Sequence, residues 1–560
     1  MKEFYVFKES GTFSDTLECL GFVAILQKIF ERIDRIIKPE IIIEDKGGYF
    51  QITTDKVITE DMLLCCEYFD FIPYIANKKD KKEELEFNFI DYEKEKEIRD
   101  IAYKNKGDKN IQQPRIDFDI VRTFANIGER TGNKKVFENW RKWKNDFNIL
   151  VTFLLKYYNE DFEKRKEIAN KLEKISEEKK IACISSYQDI NPDKGKGVNS
   201  DKANSIKLGG IKLYWLPQML RFAGAWNCLI VKYIDKDFKT YALAPYKISF
   251  QRLNNIYNSL KPLLKPLVKE KDSIKIDILL IQLTVIELIK YDEKYNKEWS
   301  FGPINDKIAG FQFAYYKSLG NKPAVTNIGF LRLPNFVKFT SEKEGQHWID
   351  IWNEHKEIIS NIKESNSSNI SMLQSYRQFI SASDFEAFFE FLYGYASFII
   401  AAYNDSKFYI KAFNLNNMEV LMASTDNYLE IIKNSGFISI AKAIRNCTII
   451  PIIHKEKKDV IFGLNQKIKI ASRTKDSLLT EIAEFVQNYN EMIMLKDYHN
   501  KAHKKYVTTE DIQEFCSLFD GNYSPKLIAG LLVAIGYAKE PTIEYANEIN
   551  NQNLDGAENE

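Results

Sequence analysis

The chain has 560 residues, of which 44% are hydrophobic and 13% aromatic; this composition is typical of a folded protein, and the length suits roughly three or four domains. Its 80 Lys and Arg residues balance 79 Asp and Glu residues, which gives a formal net charge of +1. This balance excludes a chain that is polycationic throughout, so any nucleic-acid-binding surface must come from local segregation of charge.

The cysteines and the first residues indicate the compartment. The seven cysteines form no C-x-x-C pair, and their number is odd. Met1–Phe4 leads into a strand-like run and not into the apolar core of a secretory signal. The apolar runs Phe398–Tyr403 and Leu531–Tyr537 are shorter than a membrane span and predict buried helices. We therefore expect a protein of the reducing cytoplasm.

The first part of the chain predicts a mixed α and β structure. Lys2–Lys8 alternates as a strand does, and Ser14–Ile37 carries apolar residues at helical spacing. Ile41–Glu44 and Tyr49–Thr53 follow as strands, and the Gly47-Gly48 pair between them predicts a hairpin turn. This glycine pattern is too short for a phosphate-binding loop.

The stretch Lys94–Lys144 is a first basic region, with fourteen Lys or Arg against eight Asp or Glu. Within it, Arg130–Lys135 predicts a polar, basic loop, and Trp140 and Trp143 follow. Cations neutralise phosphates and aromatic rings stack on unpaired bases, so the stretch is a candidate nucleic-acid interface. The alternative is a solvated helix whose tryptophans face the core. The candidate contacts are Arg130, Asn133, Lys134, Lys135, Arg141 and Lys142.

A long helix is predicted from Asn145 to Lys180, and the stretch Asn191–Gly210 that follows is rich in Gly, Lys and Asn, as linkers and loops are. Such a loop is able to reach into a groove and to order on binding. The alternative is a disordered surface loop without a ligand. The candidate contacts in this stretch are Lys194, Lys196, Asn199 and Lys202.

The middle of the chain predicts further strands and helices. Asn227–Tyr233 and Tyr241–Leu243 have the pattern of a hairpin, whereas Leu253–Leu267 and Ile276–Ile289 have helical spacing. Around Gly302–Leu333 the pattern breaks into loops and short strands.

Helices dominate the prediction for the C-terminal part of the chain. His347–Ile362, Asp384–Tyr403 and Met418–Lys433 all have helical spacing. The exception is a predicted hairpin formed by Thr448–Ile453 and Val460–Leu464.

The clearest signal is the block Lys475–Ala538, which predicts three amphipathic helices joined by short turns. Thr508 and Asp511 have the spacing of a capping box at the start of the second helix. Ser524 caps the third helix, and Pro525 occupies its first position. Three such helices predict a compact bundle.

A second basic region, Lys433–Lys505, approaches this bundle with fourteen Lys or Arg against seven Asp or Glu. The acidic end Glu540–Glu560 predicts a frayed tail. The candidate nucleic-acid contacts in this region are Lys467, Lys469, Arg473 and Lys475.

The five histidines form no evident catalytic set. His499 and His503 are spaced i, i+4, but Asn500 stands where a zinc protease has the glutamate that acts as general base. His347 and His355 are most simply one face of a helix.

Carboxylate pairs are the remaining sign of chemistry. Asp117 and Asp119 alternate along a strand-like run, a spacing that two-metal nucleases use and that chance also produces. We therefore expect no catalytic residue, no cofactor and no metal site.

Taken together, the chain resembles the large subunit of a type I CRISPR interference complex (Cascade), nearest to the I-A and I-B branches. The resemblance is carried by Lys8-Glu9-Ser10-Gly11-Thr12 before the Leu20-Gly21 helix, Trp215 with Leu216–Ala225, Tyr241–Pro245, Ile461–Leu464, Glu484–Asn490, Thr508–Asp511 and Leu531–Tyr537.

The resemblance implies an α+β protein with an irregular, mixed α/β N-terminal domain over 1–335. A helical connecting region over 336–435, a C-terminal helical bundle over 436–545 that is similar to the small subunit, and an acidic tail over 546–560 would follow. In this family the large subunit is not a nuclease. It holds the 5′ end of the guide RNA (crRNA), recognises a protospacer-adjacent motif in duplex DNA and helps guide the displaced strand, while base pairing reads the target.

The implied partners are the guide RNA, double-stranded target DNA, the backbone and small Cascade subunits, and a recruited helicase-nuclease. The family also raises the prospect that the bundle is made separately from an internal start, for which Met372, Met418 and Met422 are candidates, although core packing explains each of them. Two other functions stay open from the residues. One is a protein-interaction scaffold without nucleic acid, and the other is a metal-dependent hydrolase that uses His499 and His503.

Overall fold

The computed structural model describes residues 1–33, 39–105, 108, 110–125, 127–181, 184–185, 188–194, 212–213, 215–265, 267, 272–295, 303–319, 323–405, 407, 410–453, 460–498, 505–521 and 523–540. The chain divides into two compact units. Unit 1 comprises Met1–Lys271 and Ile304–Leu333, and unit 2 comprises Asp272–Pro303 and Pro334–Glu560.

Unit 1 is mixed α and β. Its strands are β1 (Glu3–Phe7), β2 (Ile41–Asp45), β3 (Tyr49–Thr54), β4 (Tyr74–Ala76), β5 (Phe89–Asp91), β6 (Ile184–Ser185), β7 (Lys212–Leu213), β8 (Leu229–Ile234), β9 (Asp237–Pro245), β10 (Lys247–Ser249), β11 (Ile308–Ser318) and β12 (Pro323–Arg332). Its helices are α1 (Phe13–Ile33), α2 (Glu60–Leu63), α3 (Tyr92–Lys104), α4 (Phe118–Ala125), α5 (Ile127–Arg141), α6 (Phe147–Asn159), α7 (Phe162–Glu178), α8 (Trp215–Cys228) and α9 (Phe250–Leu264).

The first sheet has the strand order β1-β3-β2-β10, and all of its pairs are antiparallel. Ile52 of β3 lies opposite both Phe4 and Ile43, and all three side chains are buried. The hairpin between β2 and β3 turns at Gly47, whose φ of 82° lies in the left-handed region that glycine adopts without steric cost. The strand, helix and hairpin predicted for the first part of the chain are confirmed.

The second sheet has the order β12-β11-β9-β8 and is also antiparallel. The predicted hairpin of β8 and β9 is confirmed, and it turns at Asp235, whose φ is 59°. The prediction of loops and short strands over Gly302–Leu333 is wrong, because β11 and β12 are 11 and 10 residues long. Burial along β11 does not alternate strictly, and a register shift between Tyr315 and Tyr316 breaks the period-two pattern further.

The closest helix pair in unit 1 is α1 against α8, and two glycines allow it. A Cβ atom on Gly21 would lie 1.9 Å from the carbonyl oxygen of Leu220. A Cβ atom on Gly224 would lie 1.8 Å from the carbonyl oxygen of Leu17. The two backbones therefore touch where side chains would otherwise hold the helices apart.

The helix predicted from Asn145 to Lys180 is two helices, α6 and α7, with a break after Asn159. Asp161 causes the restart, since its side chain accepts a hydrogen bond from the backbone amide of Lys164 at 3.1 Å and caps α7. The chain is thus redirected by a local capping signal inside a stretch of continuous helical spacing.

Unit 2 is helical in its described residues. Its helices are α10 (Ile274–Tyr295), α11 (Glu342–Asn361), α12 (Ser367–Ala382), α13 (Phe385–Asn404), α14 (Leu415–Ala423), α15 (Asp426–Lys433), α16 (Ser435–Cys447), α17 (Ile449–Ile453), α18 (Leu464–Ala471), α19 (Lys475–Tyr498), α20 (Thr509–Ser517) and α21 (Pro525–Gly536). The mixed N-terminal region and the mainly helical C-terminal region that the sequence predicts are confirmed. The division after Leu333 lies beside the predicted boundary at 335, but α10 groups with unit 2 because it packs against α11 and α12.

Aromatic rings from α11, α12 and α13 form the core of this unit. Phe379 and Phe388 stack with their centroids 4.3 Å apart, and Phe336 lies 5.3 Å from Phe379. Met372, Met418 and Met422 are buried, as expected for core methionines.

The terminal block forms as predicted. Thr508 and Asp511 make the capping box of α20, and Ser524 accepts the backbone amide of Leu527 at 3.2 Å to cap α21. However, α21 also packs against α13 and α16, so the three terminal helices share their core with the rest of unit 2.

The hairpin predicted from Thr448–Ile453 and Val460–Leu464 is wrong. Ile449–Ile453 forms helix α17, and Leu464 begins α18. The run Ile449-Ile450-Pro451-Ile452-Ile453 is rich in β-branched residues, but packing against α13 and α16 decides its conformation. Residues 454–459 lie outside the described part of the chain.

Two helical stretches, Phe385–Asn404 and Ser435–Ile453, are long and apolar enough to cross a membrane by composition. Of their most apolar windows, 67% and 72% respectively are buried inside the protein. Such burial is typical of core helices in a soluble protein and agrees with the prediction of buried helix for Phe398–Tyr403.

Candidate nucleic-acid interface

The predicted basic loop Arg130–Lys135 is part of helix α5, so the loop prediction is wrong. Val136, Phe137 and Trp140 lie on the buried side of this helix and tie it to unit 1. Gly132, the one glycine of the predicted loop, is tolerated inside the helix because this packing outweighs its low helical propensity. Arg130 lies on the helix, and the placement of its side chain is outside the described part.

Two of the predicted contacts on α5 are engaged within the protein. Asn133 is 1% exposed and donates a hydrogen bond to the carbonyl oxygen of Pro73 at 3.2 Å. Lys134 bonds Asp80 at 3.0 Å, and hydrogen bonding to Tyr74 raises the pKa of the Lys134 ammonium, with the Asp80 carboxylate adding to the shift. Asn133 is therefore a structural residue, and Lys134 is held in place as a cation.

The two tryptophans belong to the core, as the alternative interpretation held. Both are fully buried. Trp140 donates from Nε1 to the carbonyl oxygen of Phe69 at 2.6 Å, and Trp143 stacks on Trp215 with centroids 6.3 Å apart. Base stacking on these rings is therefore excluded in this conformation.

A cleft opens where α5 ends, and we call it the α5 cleft. Its volume is about 440 Å³. Cationic, acidic and aromatic side chains line it together: Arg32, Tyr68, Phe69, Asp70, Glu86, Phe87, Asn88, Arg141 and Lys144.

The cations of the α5 cleft differ in how they are compensated. The guanidinium of Arg141 lies 4.5 Å from the ring centroid of Phe87 and 5.6 Å from that of Phe137. Neither Arg141 nor the exposed Lys144 has a carboxylate partner among the residues that the structure describes. Among the described residues, Arg32 forms a long ion pair of 3.6 Å with Glu67, and both side chains are exposed. Within the described part of the chain, two of the three cations are thus available to neutralise an anion.

The two carboxylates of the cleft differ in their hydrogen bonding. Asp70 accepts a hydrogen bond from the Tyr68 hydroxyl at 2.5 Å, and burial together with this bond raises the pKa of Tyr68. Glu86 is exposed and has no cationic partner within the described residues. The Tyr68 hydroxyl donates to Asp70 without neutralising its charge, so two carboxylates face the same space as the two available cations.

Sequence reasoning found Arg141 but missed the rest of the cleft. Lys144 lay within the first basic region and carried a signal, although it was not among the candidate contacts. Arg32, Tyr68 and Phe87 are brought to Arg141 by the fold, and no pattern in the chain links them.

The remaining candidates of the first two stretches that the structure describes are not among the residues that line the cleft. Lys135 is half-buried and has no ion-pair partner among the described residues. Lys142 donates to the carbonyl oxygen of Lys180. Lys194 lies in a short turn of 3-10 helix beside Asp193, 3.1 Å away. Lys196, Asn199 and Lys202 lie outside the described residues.

A buried polar network fixes the point from which that Gly- and Lys-rich stretch departs. Arg221 of α8 donates to Glu18 of α1 at 3.0 Å and to the side chain of Asn191. Ser14 donates from its hydroxyl to the carbonyl oxygen of Ile190 at 2.8 Å. Asn191, predicted as the first linker residue, is fully buried, so the core of unit 1 extends to this residue.

Three of the four cations predicted in the second basic region are paired. Lys467 lies 3.8 Å from Glu481, Lys469 lies 2.5 Å from Glu390, and Lys475 lies 3.7 Å from Asp520. Arg473 is exposed and has no acidic partner in the described part of unit 2. The positive charge that the sequence predicts here is therefore largely compensated by acids from elsewhere in the unit.

The residues considered for catalysis have structural roles where the structure describes them. His355 is 1% exposed and bonds through Nδ1 to the Tyr376 hydroxyl at 2.6 Å, while burial lowers its pKa to about 3. His347 lies 3.2 Å from the side-chain oxygen of Asn417. His499 and His503 lie outside the described residues.

The carboxylate pair does not lie on a strand. Asp119 is in helix α4 and Asp117 precedes it, which corrects the predicted strand-like run. Asp117 accepts from Arg115 at 2.8 Å, and burial raises the pKa of Asp119. Within the described ranges, no three His, Cys, Asp or Glu residues are grouped so as to hold a metal ion.

No protein-family model matches the chain, and no curated protein sequence matches it.

Proposed function

We propose that this protein is the non-catalytic large subunit of an RNA-guided antiviral DNA surveillance complex of the Cascade type. It binds the 5′ end of the guide RNA, recognises the protospacer-adjacent motif in duplex DNA and supports formation of the R-loop. Its partners are the backbone and small subunits, the target DNA and a recruited helicase-nuclease that cleaves. It acts in the cytoplasm.

The observation that carries the proposal is the pair of cations Arg141 and Lys144 at the end of α5, which no carboxylate of the described residues compensates. Such cations on a surface attract phosphates, and counterions are released when phosphates bind them. Most other cations predicted from the sequence are paired with acids or bonded to carbonyl groups. The surface that favours nucleic acid is therefore narrower than the sequence predicts.

The predicted contacts differ in how directly they can take part in the proposed interface. Asn133 is left out because it is buried, and Lys134 is a secondary contact because Asp80 already neutralises it. Lys135, Arg141, Lys142 and Lys144 form the proposed interface of unit 1, together with Arg130 and with Lys194, Lys196, Asn199 and Lys202. Arg473 leads the proposed strand contacts of unit 2, and Lys467, Lys469 and Lys475 contribute by exchanging their acid partners for phosphates.

Salt-dependent binding tests the proposed interface. Affinity of the purified protein for guide RNA and for duplex DNA is measured over a range of salt concentrations. Replacing Arg141 and Lys144 with Ala should lower affinity and reduce the slope of log K against log salt by about one for each phosphate that the variant no longer neutralises. The matched control is Lys174→Ala, which removes an exposed cation of α7 that has no acidic partner among the described residues. Equal slopes for the double variant and the control would refute the interface.

A protein-interaction scaffold is the second candidate, and the surface of α18 favours it. Phe462 is 53% exposed and Ile470 is 61% exposed, beside cations that are mostly paired. Exposed apolar side chains beside compensated charge suit a protein partner better than a phosphate backbone. The scaffold predicts stable protein partners without RNA. The hydrolase alternative predicts stoichiometric metal in the purified protein, and metal analysis tests it.

A further inference from the structure

We infer that the α5 cleft is a binding site for a single nucleotide with a ribose sugar, whose phosphate contacts Arg141 and Lys144 and whose sugar or base edge hydrogen-bonds to Glu86. The nucleotide comes either from an unpaired position in an RNA strand or from the free nucleotide pool. The expectation of an RNA strand rests on the proposed function, whereas the site itself rests on the geometry of the cleft.

The size of the cleft suits a small ligand. A volume of about 440 Å³ lies within the range of pockets that hold small molecules and is far below what a duplex occupies. One extruded or terminal nucleotide is the part of a nucleic acid that fits into such a cleft.

The position and charge of Arg141 and Lys144 favour binding of a phosphate. The rings of Phe87 and Phe137 hold the Arg141 guanidinium from the side of the protein, so its charge is positioned without a carboxylate partner among the described residues. The exposed Lys144 lines the same cleft and is also uncompensated there. A planar guanidinium and a point-like ammonium together suit a phosphate group.

The two carboxylates of the cleft, Asp70 and Glu86, argue against a plain anion site. Glu86 faces the same space and would repel inorganic phosphate or sulfate. A carboxylate accepts hydrogen bonds from ribose hydroxyls and from exocyclic amino groups of bases. A ligand that carries a phosphate at one end and hydrogen-bond donors at the other satisfies both kinds of side chain. Asn88 adds an exposed amide that both donates and accepts.

The test is equilibrium binding to the full-length protein. The probes are the four ribonucleoside 5′-monophosphates, the matching deoxyribonucleotides, inorganic phosphate and a short single-stranded oligoribonucleotide. We expect saturable binding of a ribonucleotide or of the oligoribonucleotide. Binding of a ribonucleotide would identify the free nucleotide pool as the source of the ligand, and binding of the oligoribonucleotide would identify an RNA strand as its source. Arg141→Ala should weaken that binding about tenfold or more, and Lys144→Ala should weaken it several-fold.

The variants make the result specific. Lys174→Ala should bind as the wild type does. Glu86→Gln keeps the shape of the side chain and should reduce the preference for ribose over deoxyribose. Lys144 is exposed and makes no ion pair with a described residue, so its variant remains informative even if Arg141→Ala fails to fold. Binding of neither ligand, equal binding of inorganic phosphate, or binding that both cation variants leave unchanged would overturn the inference.

The inference and the proposed function fail separately. Purification of the protein without guide RNA or Cascade subunits would end the proposed function and leave nucleotide binding to be judged by its own assay. Guide RNA that co-purifies with a protein whose α5 cleft variants bind as the wild type does would end this inference and the assignment of Arg141 and Lys144 to the interface, and would leave membership in an RNA-guided complex supported.

Discussion

Gly224→Ala is expected to separate α1 from α8 and to destabilise unit 1. The added Cβ atom would lie 1.8 Å from the carbonyl oxygen of Leu17, about 1.2 Å short of the 3.0 Å below which such distances essentially never fall. The obstacle is backbone and cannot rotate away, so the helices themselves must move. Gly21 packs in the reciprocal way against Leu220, and the same movement disturbs that packing.

The magnitude follows from two opposing effects. Alanine favours a helix by about 1 kcal/mol over glycine. Overpacking against backbone costs about 1–3 kcal/mol and sometimes more, and separating the helices also weakens the packing around them. Because the obstacle is backbone, the cost lies at the upper end of this range, about 3 kcal/mol, and after the gain of about 1 kcal/mol we expect a net decrease of about 2 kcal/mol in the free energy of unfolding of unit 1.

Amide hydrogen exchange is the suitable assay, because peptides from α1 and α8 report this unit without interference from unit 2. A decrease of this size should lower the protection of the most stable amides by about 30-fold. The control is Gly48→Ala in the hairpin of β2 and β3, where the added Cβ atom meets no atom within 4 Å. Wild-type protection in α1 and α8 of the Gly224→Ala variant would refute the close packing described here.

Two further predictions concern unit 2. Glu364→Ala should lower the free energy of unfolding by about 1–2 kcal/mol at neutral pH, because the Glu364 carboxylate accepts hydrogen bonds from the backbone amides of Ser273, Ile274 and Lys275 at 2.9–3.1 Å and caps α10. Urea denaturation measures this decrease, and Glu484→Ala, at an exposed position of α19, is the control. Equal decreases in stability for the two variants would contradict the cap. Burial lowers the pKa of His355 to about 3 from an ordinary value of 6.5, so between these two values the unfolded chain binds a proton that the folded protein does not. His355 therefore lowers the free energy of unfolding of the protein by about 1.4 kcal/mol for each pH unit as pH falls from 6.5 towards 3. Burial raises the pKa of Glu354 to about 7 from 4.5, so the folded protein binds this proton better and gains stability as pH falls from about 7 to about 4.5. Relative to wild type, His355→Gln should therefore become more stable as pH falls from 6.5 to 4.5 and Glu354→Gln less stable, and parallel pH profiles for all three proteins would contradict these assignments.

The elements that sequence analysis predicted correctly are those with local signals. The period-two strand at β1, the glycine turn between β2 and β3 and the capping residues of α20 and α21 all act over a few residues. Their conformations therefore follow from short stretches of chain, and the structure confirms them.

The elements that were mispredicted are decided by packing. β11 is the partner of both β9 and β12 and is buried without strict alternation, so its pattern did not predict a long strand. Ile449–Ile453 has the composition of a strand and becomes a helix because α13 and α16 surround it. Such tertiary effects are not encoded at any fixed spacing.

The candidate site follows the same division. The sequence predicts the basic stretch before Lys144. It does not predict the acidic residues that the fold brings to this stretch from elsewhere in the chain, such as Asp80 beside Lys134. The α5 cleft depends on Arg32 and Phe87 meeting Arg141, and these residues are far apart in the chain. Only the structure distinguishes the compensated cations from the available ones.

A tagged pull-down from the native host is the most direct test of the proposed membership of this protein in an RNA-guided complex. Both the proteins and the RNA that co-purify are identified. The proposal predicts short RNAs of uniform length that share a repeat-derived end, together with several Cascade subunits. Protein partners without such RNA, or no partner at all, would contradict it.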